Sequence, residues 1–163
     1  MRKELFSAIA DRLAERAPSV AYVDLWNADL DELEGGAVWA LPAVFVEFEA
    51  IEWEQTGLSL RQGDAGVRLH VVTRAVEHSG SQDARMEAAL ERFGVIEEVQ
   101  RALWGLSGTG FTTLTLTTSA TNHQHAELVE DIERYVTRLQ EADHRIRKTE
   151  ARIVAHINPE RET

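Results

Sequence analysis

The chain has 163 residues, with 28 acidic against 17 basic side chains and a net charge of −11, which is enough length for one domain with a real core and short for two. That charge argues against a surface that grips nucleic-acid phosphate, because such binding depends on Lys and Arg displacing counterions. Cysteine is absent, which excludes disulfides, thiolate metal ligands and a thiol nucleophile and fits a reducing compartment.

From the N-terminus, residues 2–16 are predicted to form an amphipathic helix. Leu5, Phe6, Ile9, Ala10 and Leu13 make one apolar stripe, and Pro18 stops it. Acids interrupt this pattern, so it is not a signal peptide, and no stretch reaches the apolar length that crosses a bilayer. The expectation is a soluble protein. Val20 to Trp26 alternates as a strand and leads into an acidic loop through Gly35 and Gly36.

Leu41 to Trp53, LPAVFVEFEAIEW, is predicted to be the central strand. Val44, Val46 and Phe48 share one side, Phe45, Glu47 and Glu49 share the other, and Pro42 stands at the first position. After Gly57, Leu58 and Leu60 make a short extended piece. Gly63 to Gly66 is read as the turn of a hairpin into Val67–Val76, with Val67, Leu69, Val71 and Thr73 opposite Arg68, His70, Val72 and Arg74. His78–Asp83 has loop composition, and Ser81 or Asp83 is a candidate cap. Met86, Leu90, Phe93, Ile96, Val99 and Leu103 then mark a helix that ends at Gly105. Phe111–Thr118 reads as a strand. Leu128, Ile132, Val136 and Leu139 fit a helix face, although Tyr135, Val136 and Thr137 favour a strand. The charged segment beyond Asp143 is read as an extension ordered in an assembly. The plan is α+β: one domain over residues 1–143, a two-layer, mainly antiparallel mixed sheet covered by two helices, followed by an extension over 144–163.

Charge is unevenly distributed. No Lys or Arg falls between Arg16 and Arg61, where Glu47, Glu49, Glu52 and Glu54 crowd together, whereas Arg134, Arg138, Arg145, Arg147, Lys148 and Arg152 populate the end of the chain. These glutamates and Arg134, Arg138, Arg145 and Arg147 are therefore candidates for contacts in which one copy's basic region meets another's acidic region. The glutamates are also candidates for the wall of a channel that repels DNA. Catalytic motifs are mostly missing. The glycines of SGTGF follow a helix rather than a strand, so they are not read as a phosphate cradle. His123-Gln-His125 is the strongest metal candidate, but it has no third ligand at a recognisable spacing and is predicted to be a solvated loop. Paired glutamates from 47, 49, 52 and 54 could divide acid and base roles, yet Glu47 and Glu49 alternate as a strand's outer face does. Neither a catalytic residue nor a metal or cofactor site is predicted.

The helix in LFSAIADRLAE, the strand ending VDLWN, PAVFVEFEAIEW, the strand RLHVV after a GD turn, and the helix ending VIEEVQRAL before GLSGTGFTTL together resemble the tail terminator proteins of long-tailed bacteriophages. The resemblance runs from about residue 3 to 143 and rests on an ordered series of loose patterns. It implies a virion protein made in the host cytoplasm, from a phage or prophage. It also implies a homo-oligomeric, hexameric ring that caps the tail tube, stops its growth and meets the head connector protein. DNA would pass through the ring without specific binding, and no membrane is involved. The resemblance implies too that Leu128–Leu139 is a final strand, and it supplies no catalytic residues. Other readings are a small metal-dependent hydrolase using the glutamates with His123 and His125, a head-tail connector or neck adaptor protein, and an adaptor domain of a cellular complex.

Overall fold

The computed structural model describes residues 1–27, 39–77, 80–122 and 127–142. The elements in chain order are α1 (Arg2–Arg16), β1 (Tyr22–Leu25), β2 (Ala43–Phe48), β3 (Glu52–Gly57), β4 (Leu60–Arg74), α2 (Met86–Leu103), β5 (Thr115–Asn122) and β6 (Leu128–Ala142). The sheet runs β1-β2-β4-β6-β5, with β3 also paired to β4, and only β1 and β2 are parallel among these pairs. Both helices lie on one face, so the fold is the α+β, two-layer plan.

The helix-covered face follows from the alternation of the strands. Val44 and Val46 of β2 and Val67, Leu69 and Val71 of β4 meet Leu5, Ile9 and Leu13 of α1 and Val99 and Leu103 of α2 in one buried cluster. Spacings of three and four residues put the helix residues on single stripes, while the period of two puts the strand residues on one face. The opposite face has a smaller cluster of Ala43, Phe45 and Val72, with Tyr22, Trp26, Trp39, Leu41 and Leu128 against it.

Several expectations are corrected. Leu41–Trp53 is not one strand, because its pairing with β4 breaks between Phe48 and Glu52 and resumes in a different phase. Nor is it the centre of the sheet, since β4 occupies that place with β2 and β3 on one edge and β6 on the other. The hairpin turn is Leu58-Ser59, and Gly63–Gly66 lies inside β4. These glycines serve close approach rather than turning. A Cβ on Gly63 would stand 2.6 Å from the Glu52 carbonyl oxygen, and one on Gly66 would occupy the space of the Glu49 carboxylate.

Phe111 and Leu114 enter the core from an irregular segment after Gly110, whose φ is +88°, and the strand begins only at Thr115. Asp83 accepts from the Arg85 N–H at 2.8 Å just before α2. The first half of α2 adds no side chain to the buried core: Leu90 and Phe93 are exposed, and burial starts at Ile96, while Arg92 reaches the buried Asp131 at 3.5 Å. Residues 128–142 form a strand, against the helical spacing of their apolar residues, because β4 and β5 hydrogen-bond to its two edges. The acidic loop around Gly35 and Gly36, His78, His123, His125, Arg145, Arg147 and the extension over 144–163 lie outside the described residues. No described helix is long and apolar enough to cross a membrane.

Replacing Leu69, fully buried at the centre of the sheet, with Ala is expected to lower stability by about 2–5 kcal/mol through lost burial and a cavity. Leu58→Ala, at a site 92% exposed, should stay within about 0.5 kcal/mol of the parent. Urea unfolding followed by tryptophan fluorescence checks both values.

Candidate functional site on the open face of the sheet

Cross-strand partners share a face, so the register decides where the glutamates go. Glu47 is opposite Arg68, Glu52 opposite Asp64 and Glu54 opposite Gln62. The irregular residues 49–51 shift the alternation by one position. Ile51 and Trp53 therefore join Val46 and Phe48 toward the helices, while all four glutamates share the helix-free face. Strict alternation would have put Glu52 and Glu54 on the opposite side from Glu47 and Glu49. The phase shift gathers them into one polar surface.

At its centre, β2, β4 and β6 each contribute one residue. His70, 4% exposed, has Nδ1 2.5 Å from Glu130 Oε1 and Nε2 3.1 Å from Glu47 Oε2. The Trp26 indole stacks on its ring at 3.8 Å and 5°, and Asn122 donates to the other Glu130 oxygen at 2.7 Å. A neutral imidazole donates from one nitrogen only, so satisfying both contacts needs a second proton, on the ring or on one carboxyl. The two nitrogens also point apart. Glu47 and Glu130 thus flank the ring on opposite sides and cannot converge with it on one ion. No group of three or more His, Asp or Glu arranged to hold a metal occurs among the described residues. The arrangement ties three strands together through one ring.

Beside it lies a chain of alternating charges. Arg68 reaches Glu47 at 3.5 Å and Glu49 at 2.8 Å, and Arg134 holds Glu49 with a fork of bonds, Nε to Oε1 at 2.9 Å and a terminal nitrogen to Oε2 at 2.7 Å. The hydrogen bonds from Arg134, then the charges of Arg134 and Arg68, keep the Glu49 carboxyl below its ordinary value against the opposing effect of burial. Arg138 forms a fork with Asp64, at 2.8 and 3.2 Å. Arg134 and Arg138, expected from the sequence to meet another copy's acids, are engaged within their own chain, since the antiparallel β4–β6 register brings β6 beside the acidic interval. Of the four glutamates, Glu47 and Glu49 are ion-paired, Glu54 accepts only an amide from Gln62, at 3.2 Å, and Glu52 has no ion pair among the described residues.

Sequence reading missed the buried acids of β6. On the helix side, Glu133 accepts from Gln100 of α2 at 2.8 Å and from Ser119 of β5 at 2.7 Å. Asp131 accepts from Thr121 at 2.6 Å and lies 3.5 Å from an Arg92 guanidinium nitrogen. Burial, then the charge of Glu133, pushes the Tyr135 hydroxyl well above its ordinary value. A signal was present in VEDIERYV, where acids occupy both parities of a strand. A sheet with one wet face accounts for only one parity.

Glu49→Gln is expected to destabilise the fold at neutral pH, and the gap from the parent should close on acidification. The carboxylate's contribution is complete above its ordinary value of 4.5 and is lost as pH falls through the lowered value in the fold. Urea midpoints across that range check it. His70→Leu removes a partner from Glu130, 2% exposed, and should cost roughly 2–4 kcal/mol. Glu47→Gln, at a side chain 32% exposed, should cost clearly less in the same unfolding measurement.

No protein-family model matches this chain, and no curated protein is significantly similar to it.

Proposed function

We propose that this chain is a structural virion subunit that forms a ring on the end of a phage tail tube, stops the tube's growth and joins it to the head connector. The observation that carries the reading is the placing of exposed large apolar side chains. Leu58, 92% exposed, is on the β3–β4 turn; Trp104, 84% exposed, follows α2 and shares a hollow with Leu116 of β5; Leu90 and Phe93 are on α2. These are three separate surfaces. Each is apolar surface that a neighbour would cover, and a ring member has different neighbours beside, above and below it.

Support also comes from the order of elements, which is the order that the resemblance to tail terminators requires. The net charge of −11 suits a ring through which DNA passes, because negative charge repels phosphate. The internally tied sheet supplies rigidity. Glu47, Glu49, Arg68, His70, Glu130 and Arg134 link β2, β4 and β6, so a subunit can be loaded at its edges without its strands slipping.

Removing the protein from a phage that encodes it should yield tubes of unregulated length and heads without tails, seen by electron microscopy, and purified protein added back should restore joining. Tails of normal length in its absence, or a single copy per particle, would refute the proposal.

A further inference from the structure

Between the first half of α2 and the ends of β2, β4 and β6 lies a groove of about 660 Å³. Leu90, Phe93, Met86 and Leu41 give it an apolar lining, Arg74 stands at its edge, and Thr73 contributes to its wall. The Thr73 hydroxyl is buried without a hydrogen-bond partner. Arg74 is exposed and has no ion pair among the described residues. The groove therefore offers apolar surface and, among the described residues, one cation without an ion pair, with Glu91 and Arg92 also in its lining.

The complementary features stand on this same chain, at the far end of the same strand. Leu58 and Leu60, 92% and 40% exposed, project at the β3–β4 turn beside Ser59, and the exposed Glu52 and Glu54 follow on β3. Leu60 and Arg74 are the two ends of β4, roughly 46 Å apart at about 3.3 Å per residue. A molecule cannot close that distance on itself. We infer that the β3–β4 turn of one copy enters the α2 groove of the next, with Leu58 among Leu90 and Phe93 and Glu52 or Glu54 facing Arg74. Knob and hole are different patches, so the contact is head-to-tail and propagates until it closes. It deepens the ring reading above and rests on it for that closure.

The absence of cysteine makes a clean test. Leu58→Cys and Leu90→Cys variants of distinguishable mass are mixed and oxidised at high protein concentration. The expected product is the mixed L58C–L90C pair in preference to either like pair, with the doubly substituted chain giving a ladder of oligomers. Arg74→Glu should lower the mixed yield roughly fivefold, the effect of a surface charge pair of about 1 kcal/mol, and adding Glu54→Arg or Glu52→Arg should restore it. Like pairs in equal or greater yield, or no links between copies, would overturn the contact. Counting copies of the unsubstituted protein per particle separates the two failures. A ring without mixed links overturns this contact alone, and a single copy on particles overturns the ring.

Discussion

The fifteen residues of β4 are paired along their whole length with β6, from Leu60 opposite Ala142 to Arg74 opposite Leu128, and on the other edge with β3 over Leu60–Asp64 and with β2 over Val67–Val72. A strand enclosed in this way has one admissible register. A slip by one residue would take Val67, Leu69 and Val71 out of the core and turn Arg68 and His70 into it. Gly63 and Gly66 belong to this constraint, since they leave the space into which the β2–β3 connection and the Glu49–Arg134 pair settle.

The polar interior follows from that register. Glu130, Asp131 and Glu133 are all nearly inaccessible, and burying a carboxylate is expensive unless donors meet it. Each finds donors on neighbouring elements: Asn122, Ser119 and Thr121 from β5, His70 from β4, Gln100 from α2. Apolar residues of equal volume could provide as much stability. What the acids add is direction. Glu133 and Asp131 set the place of α2 over the sheet through Gln100 and Arg92, and Glu130 sets the ring of His70, on which Trp26 rests.

The outcome is a molecule that differs at its two ends. At one end of β4 is a turn that exposes Leu58 and Leu60; at the other, the first half of α2 leaves Leu90 and Phe93 exposed around a groove. The open face between them has most of its charge compensated internally, which leaves the ends, rather than the face, as the surfaces with unmet chemistry.

Much of this was legible in the sequence. Both helices, the alternation of Val44, Val46 and Phe48 against Phe45 and Glu47, and the two faces of Val67–Arg74 are local patterns that depend on nearest neighbours and on periods of 3.6 and 2. Tertiary structure decided the rest, because the deciding partners are far apart in the chain. Whether Leu128–Leu139 coils or extends depended on β4, some 60 residues earlier at the His70–Glu130 contact. Whether Gly63–Gly66 turns or runs straight depended on β2, β3 and β6 lying against it. The acidic interval looks bare in sequence because Arg134, its chief counterion, is 85 residues from Glu49. Composition reports how much charge a chain carries, and the register of its strands determines which charges meet.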